Sequence, residues 1–352
     1  MYSPKFTITN EILRNIGVIE ACREVIDNAP LLPYYEKQFQ QDAIVRTIHH
    51  GTHIEGNELD LAQAEKVLMG QNVVARVRDI QEIINYRRVM EYIARRQVSE
   101  VGNQIINEEL IKRVHATVVD RILPPEHCGV YRTTQVVVRN SQTGNVSFRP
   151  PPAIEIPYQI QDFLQWVNDS KKEDIHPILK AGIVHYEIVR IHPFLDGNGR
   201  VARTLSTVVL FQEGYDIRRF FSIEEYFDTN AIEYYKALQS VEREEGDLSP
   251  WLSYFTNGLA IELSKVKEKV QRLSVDIKLK DRLGKQVILS ERQIKIIEYI
   301  QKIGYLQNQS FQMLFPMISE DTILRELQAL MKHGIIKKEG VTKGAKYVLS
   351  AY

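Results

Sequence analysis

The sequence predicts a mainly α-helical chain, with one small β-hairpin inserted in it and a compact helix-and-strand domain at its C-terminal end. Three observations predict this. Apolar residues recur at helical spacing in segment after segment, between recognisable caps. Strand-like runs appear in two places only, Val136-Val137-Val138 with Val146-Ser147-Phe148, and Ile335-Ile336 with Tyr347-Val348-Leu349. Near Gln286 the pattern changes to short helices with their own caps. A length of 352 residues suggests two or three domains with ample core.

Composition excludes several function classes. Lys+Arg and Asp+Glu are both 45, so no global field points to nucleic acid or a membrane surface. Cys22 and Cys128 are far apart, which excludes a disulfide scaffold and suits a reducing compartment. The start, MYSPKFTITN, lacks a basic region followed by an apolar run, and no stretch approaches about 18 apolar residues. The expectation is a cytoplasmic protein without signal peptide or membrane span.

Taken in order, residues 10–27 form a helix with Ile12, Leu13, Ile16, Ile19 and Val25 on its apolar side, broken by two prolines at 30 and 33. A helix over 38–51 leads to His49, His50 and His53, which lack the carboxylate pattern of a metal site. Helices over 61–69 and 73–96 follow. The second turns Ile80, Ile83, Ile84, Val89 and Ile93 inward and Arg76, Arg78, Asp79, Arg87 and Arg88 outward. Asn107 caps the next helix, whose core face is Leu110, Ile111, Val114 and Val118; His115 beside that face is read as structural. The hairpin follows, with its turn over 140–145. An exposed hairpin edge can pair with an extended peptide.

The chain is organised around residues 191–203, Ile-His-Pro-Phe-Leu-Asp-Gly-Asn-Gly-Arg-Val-Ala-Arg. Helices over 174–191 and 199–213 flank it, with Pro177 in the first turn of one and Gly214 stopping the other. Two glycines let the backbone approach a ligand closely, and free amides at the start of the second helix can point at an anion. Arg200 and Arg203 share a face there, and two guanidinium forks suit a polyphosphate. Asp196 is a hard oxygen ligand of the kind Mg2+ uses when it also binds substrate phosphates. His192 can accept a proton near neutral pH without a large shift. A nucleoside triphosphate, a metal and a general base therefore fit within one short stretch.

This stretch resembles a family signature, H-x-F-x-[DE]-G-N-G-R-x-x-R of Fic-domain proteins. It matches at His192, Phe194, Asp196, Gly197, Asn198, Gly199, Arg200 and Arg203. The resemblance implies a protein adenylyltransferase that moves AMP from ATP to a Tyr, Thr or Ser hydroxyl of a protein. It implies that His192 is the base, Asp196 holds Mg2+, the Gly197-Asn198-Gly199 loop cradles phosphates, and Arg200 and Arg203 bind further out on the triphosphate. The hairpin resembles the family's flap, which holds the target side chain. Tyr234-Tyr235 resembles its tyrosine pair near the adenine pocket. Ile54-Glu55-Gly56-Asn57, followed by a Leu-rich helix and then Arg78-Asp79 and Glu82-x-x-Asn85-Tyr86, resembles the N-terminal region of Fic proteins that carry an inhibitory helix of motif [ST]-x-x-x-E-[GN]. Glu55 fits as the inhibitory glutamate, but Gly51 stands where the hydroxyl belongs, and Thr52 is one residue late.

The last stretch begins with the helix at 247–251, which has Pro250 in its first turn and runs on as a charged connector to Arg282. Ser290-Glu291-Arg292-Gln293 is a capping box, helices over 294–303, 311–315 and 319–332 follow, and two strands close the domain. This resembles a winged helix-turn-helix. Lysines at 332, 337, 338, 343 and 346 give it a modest basic wing, offset by Asp321 and Glu326 on the second long helix. The resulting map is an N-terminal helical region over 1–96, a catalytic core over 97–260, a helical connector over 261–285 and a winged helix over 286–352. Three rival readings stand beside the adenylyltransferase. The winged helix could act as a DNA-binding regulator with the core sensing nucleotide, it could dock another protein, or the same site could remove AMP from proteins. The enzyme itself is a candidate acceptor of AMP, and a second copy of the chain a candidate partner in a homodimer.

Overall fold

The computed structural model describes residues 2–31, 33–99, 106–139, 146–169, 175–282, 289–316, 318–340 and 345–350. The hairpin turn at 140–145, Asp174, the wing turn with Lys343, and the end of the connector at 283–285 lie outside the described residues. The chain forms two compact units, Met1–Val270 and Gln271–Tyr352. Among the described residues no helix is long and apolar enough to cross a membrane.

The first unit begins with α1 (Asn10–Asp27), α2 (Pro33–His53), α3 (Leu61–Leu68) and α4 (Val77–Ser99), followed by α5 (Glu108–Val118). Thr9 caps α1, accepting the amide of Ile12, and Asn107 caps α5, accepting that of Leu110. Asp60 and Gln63 close a capping box on α3. Strands β1 (Val138–Arg139) and β2 (Val146–Phe148) pair antiparallel, Val138 opposite Phe148. Then come α6 (Ile156–Asp169), α7 (Pro177–Ile191), α8 (Asn198–Gln212), α9 (Ile223–Thr229), α10 (Ala231–Arg243) and the part of α11 (Ser249–Arg282) up to Val270.

The α7–α8 pair lies at the centre. Ile178 through Ile188 of α7 are all buried, Lys180, His185 and Glu187 among them, so the helix is covered on nearly every face rather than along one stripe. Trp251 of α11 donates its indole N–H to Gly182 O of α7 at 2.8 Å, which satisfies the one polar atom of a fully buried ring. Helices α4 and α5 pack on α8 from one side, and α2 packs against α3, α4 and α9.

Two expectations about facing are corrected here. In α4, Asp79 points inward and is buried, because Arg76 pairs with it at 2.7 Å and neutralises it, while Ile84 is exposed. In α1, Leu13 is exposed and Asn15 is buried instead, its amide donating to the Thr256 hydroxyl at 3.2 Å.

The second unit carries α12 (Glu291–Ile303), α13 (Phe311–Leu314), α14 (Glu320–Lys332), β3 (Ile336–Glu339) and β4 (Lys346–Leu349). Ser290 and Gln293 cap α12 reciprocally, as the sequence predicts. The strands pair antiparallel with Ile336 opposite Leu349, and β3 runs on to Glu339, further than expected. Ile296, Ile300, Leu306, Phe311, Leu327 and Tyr347 form this unit's own core.

Candidate active site

The loop between α7 and α8 is built to hold one shape. His192 ends α7 in the left-handed region, at φ 49°, and Gly197 opens α8 there too, at φ 79°. Asn198 clamps the turn between them. Its side-chain oxygen accepts the Phe194 amide and its amino group donates to Phe194 O, both at 2.9 Å. The side chain of Asn198 is therefore a brace, and only its backbone is placed to meet a ligand.

His115 supports the loop from below. Its ring stacks on Phe194 with centroids 3.7 Å apart, Gly129 donates its amide to Nδ1 at 2.9 Å, and Nε2 lies 3.0 Å from Asp196 O. Nδ1 must accept and Nε2 must donate, so the neutral tautomer is fixed. Burial, with no acceptor for a second proton, pushes its pKa down to about 4. Its reading as a structural residue stands, with its load now placed under the signature loop.

Arg132 is the residue the sequence did not single out. It is almost fully buried, and its guanidinium donates to three backbone carbonyls: His192 O at 2.9 Å, Thr134 O at 3.0 Å and Pro151 O at 2.7 Å. Its own amide donates to Pro193 O. One side chain thus ties the signature loop to the segments on either side of the hairpin. A lone buried arginine after Gly129-Val130-Tyr131 carried no spacing signal, because its partners lie elsewhere in the chain.

His192 lines a cavity of about 150 Å³ together with Glu55, Gly199, Tyr234, Tyr235 and Phe148 of β2. Its Nδ1 is 3.3 Å from Val189 O, which can only accept, so Nδ1 carries the proton and Nε2 the lone pair. Burial foremost, and the nearby Arg132 charge, hold its pKa down at about 4. The ring is a neutral acceptor at physiological pH.

Asp196 is partly exposed at the loop mouth. Oδ1 accepts the Gly197 amide at 2.5 Å, and Oδ2 accepts Arg78 Nη2 at 2.8 Å. Burial raises its pKa, but Arg200 and Arg78 outweigh this and hold it below the usual carboxylate value. Among the described residues no cluster of three or more His, Cys, Asp or Glu could form a metal cage. One ionised carboxylate fits a cation that keeps its waters and shares substrate phosphates, as Mg2+ does.

Arg200 and Arg203 are each 1% exposed. Arg200 Nη1 lies 3.3 Å from Glu82, itself buried on α4. Arg203 Nη2 donates to Glu55 Oε1 at 2.6 Å and to Gly51 O at 2.8 Å. The Nε of each is buried and makes no hydrogen bond among the described residues, so each arginine keeps an unused donor. A Cβ on Gly199 would come 2.2 Å from Glu55 Oε1, so Glu55 enters only because residue 199 is glycine.

The end of α2 differs from the family pattern in an interpretable way. Gly51 packs on Tyr86, whose ring would lie 2.4 Å from any added Cβ, so no hydroxyl residue fits there. Its carbonyl serves Arg203 directly. Thr52, the nearest hydroxyl, turns back to Ile48 O and His49 O. The helix continues through Gly51 to His53. His50 and His53 both direct Nδ1 at Asp228 of α9, at 2.7 and 2.8 Å. Of the tyrosine pair, Tyr234 is buried with its hydroxyl 2.8 Å from His185 Nε2, and Tyr235 is 42% exposed with its hydroxyl 3.4 Å from Ile54 O.

Part of the chain is similar to known proteins. Residues 105–210 match the Fic/DOC family. The chain is 33% identical over 181 residues to the protein adenylyltransferase Fic of Drosophila grimshawi, covering 51% of this chain and 35% of that protein. It is 31% identical over 209 residues to the protein adenylyltransferase fic-1 of Caenorhabditis elegans, covering 59% and 38%. The chain thus spans well under half the length of these curated relatives. A crystal structure of a Fic family protein from Desulfovibrio desulfuricans G20 superposes with a TM-score of 0.69 at 22% identity, covering 100% of this chain and 99% of that one. That likeness shows a shared fold.

Proposed function

On the premise that residues 105–210 form a Fic domain, we propose that this chain is a protein adenylyltransferase that transfers AMP from ATP to a Tyr, Thr or Ser hydroxyl of a protein. The observation that carries the reading is one cavity lined by the neutral His192, by Gly199 at the start of a helix and by Glu55, whose partner is the buried Arg203. These are a base, an anion cradle and fixed positive charge within reach of one another.

The acceptor hydroxyl arrives along the hairpin edge. His192 Nε2 takes its proton as the oxygen attacks the α-phosphorus of ATP. The new P–O bond forms, the bond to the bridging oxygen of the β-phosphate breaks, and pyrophosphate leaves. The protein contributes position and charge rather than a covalent intermediate. The amides of the Gly197–Gly199 loop face the phosphates, Arg200 and Arg203 bind further out, and Tyr234 and Tyr235 line the adenine end. Mg2+ on Asp196 would neutralise phosphate charge. Glu55 on Arg203 is self-inhibitory, because one fork cannot grip a carboxylate and a γ-phosphate together.

In this reading the N-terminal region over 1–96 serves the core over 97–260, and the chain acts in the cytoplasm. The C-terminal unit is a winged helix that binds DNA or docks a protein. The test of the activity is incubation with labelled ATP and Mg2+, followed by mass spectrometry of the enzyme and of an added acceptor. An AMP adduct on a hydroxyl side chain is expected. No adduct from either the wild type or Glu55→Gly, with ATP bound and the fold intact, would contradict the proposal.

A further inference from the structure

Two carboxylates and two guanidiniums form a closed square at the mouth of the signature loop. Arg78, in the first turn of α4, spans it: Nη2 is 2.8 Å from Asp196 Oδ2 and Nε is 3.1 Å from Glu82 Oε1. Arg200 spans it from the other side, Nη2 at 3.4 Å from Asp196 Oδ1 and Nη1 at 3.3 Å from Glu82 Oε1. The two arginines are not equivalent. Arg200 is 1% exposed and cannot leave without unfolding its surroundings, whereas Arg78 is 56% exposed.

The two oxygens of Asp196 differ as well. Oδ1 is taken by the Gly197 amide of its own loop. Oδ2 faces outward, and Arg78 holds it. A cation bound through a single carboxylate oxygen at this mouth competes for Oδ2. It would also sit beside the Arg78 charge, and like charges at such range repel. With Arg78 in place the square is neutral. A divalent ion that entered while Arg78 stayed would make it doubly positive.

We propose that Arg78 is the resident counter-cation of Asp196, exchanged for the divalent ion when the site loads, and that it sets the metal concentration the enzyme requires. This rests on the reading of Asp196 as the metal carboxylate. Three features suit Arg78 to exchange. Its guanidinium is 56% exposed, so solvent screens its pair with Asp196 and can take up its charge when the pair breaks. Its long stem lets the charged head swing into water. Glu82 stays satisfied when it leaves, because Oε2 accepts Asn57 Nδ2 at 2.9 Å and Arg200 remains beside Oε1. That last point also means that Arg78→Ala leaves no orphaned buried charge.

Asn57 gives the exchange a second consequence. It follows Glu55 by two residues, and it donates to Asp79 O and Glu82. Arg76 donates to Gly56 O at 2.9 Å. The first turn of α4 therefore holds both the segment that carries Glu55 and the cation on Asp196. Arg78 is a positioning residue of the metal site, on the same turn of α4 that binds Asn57, two residues after Glu55.

The test uses the full chain and Mn2+ as a spectroscopic probe, with free ion read by electron paramagnetic resonance. An ATP analogue with a methylene between α- and β-phosphorus is present at saturation, so that no transfer occurs. Arg78→Ala should tighten Mn2+ binding roughly threefold to tenfold, by loss of one nearby positive charge. Arg78→Lys, which keeps the charge, should remain within about twofold of wild type. Asp196→Ala should abolish the site in every background. Unchanged or weaker Mn2+ binding in Arg78→Ala, with binding still dependent on Asp196, would overturn the proposal and leave the metal assignment intact. So would an unchanged Mn2+ affinity accompanied by weaker analogue binding, which would make Arg78 a phosphate contact. Mn2+ binding indifferent to Asp196 would overturn the metal assignment itself, and this proposal with it.

Discussion

Arg203 Nη2 lies 2.6 Å from Glu55 Oε1, joining residues 148 apart in the chain. The guanidinium is 1% exposed and the carboxylate 27%. Burial works against the Arg203 charge, but Glu55, with smaller help from Tyr234 and Tyr86, raises its pKa beyond the ordinary arginine value. A buried guanidinium needs an anion. In this chain the anion is either Glu55 or, in the proposed reaction, the end of the triphosphate.

Removing the base should stop chemistry without stopping binding. His192→Ala is expected to lose roughly 10²–10⁴-fold in AMP transfer, while ATP affinity stays near wild type. With the His192 pKa held down to about 4, the base remains unprotonated through mildly acidic conditions. The rate limb due to this group should therefore lie near pH 4 rather than 6.5. Transfer retained in the alanine variant, compared at equal folded concentration, would rule His192 out.

His115 should give the fold an acid-sensitive limb. Unfolded, it takes up its proton as pH falls through about 6.5; folded, it resists until about 4. The unfolded chain thus binds more protons in that window, and stability falls as pH drops from about 6.5 to about 4. The loss is on the order of 2–3 kcal/mol from this group. His115→Gln can accept from Gly129 and donate to Asp196 O without titrating. Urea midpoints measured across the window should fall less steeply in that variant. Equal slopes would show that His115 does not carry the limb.

Arg132→Ala should act through the hairpin. Three backbone carbonyls lose their donor, and the segments flanking β1 and β2 lose their tie to His192. A displacement of about 1 Å at the acceptor costs on the order of 10²-fold in rate. The variant should lose AMP transfer to a protein acceptor by roughly that factor, with ATP binding little changed. Loss of ATP binding in step with activity would place Arg132 in nucleotide binding instead.

The C-terminal unit should bind duplex DNA through phosphate contacts alone. Lys337 already pairs with Glu339 at 2.9 Å, and Lys346 lies over the Tyr305 ring. Anisotropy titration at low salt is expected to show weak binding that falls steeply as salt rises, by about 0.9 in log–log slope per phosphate contacted. No binding, or binding indifferent to salt, would assign this unit to protein docking.

Local features of the fold were legible in the sequence. The bounds of α1, the Asn107 cap, the Ser290–Gln293 box and the helices around the signature all follow from side chains near one another in the chain. The signature also marks its own members, because their spacing is local. What was not legible depends on partners far away. Asp79 is the exception: its partner Arg76 is only three residues away, and what the local pattern hid is that the acid is buried. Arg78 belongs to Asp196, 118 residues on, and Arg132 to His192, 60 residues on. Gly51 looks like a defect in the inhibitory pattern until Tyr86 is seen against it, with the glycine carbonyl serving Arg203.

The most direct test of self-inhibition is the initial rate of AMP incorporation, wild type and Glu55→Gly side by side, into the enzyme itself or a generic acceptor. Freed of the carboxylate, Arg203 can take the γ-phosphate and align the α-phosphorus. A regulatory coupling of ~1–3 kcal/mol corresponds to ~5–150-fold, and the variant should be faster by about that factor. Arg203→Ala should be inactive in both backgrounds. Equal rates, or a slower variant that is folded and binds ATP, would contradict the account; the slower variant would point to Glu55 as a group that orients water for removal of AMP.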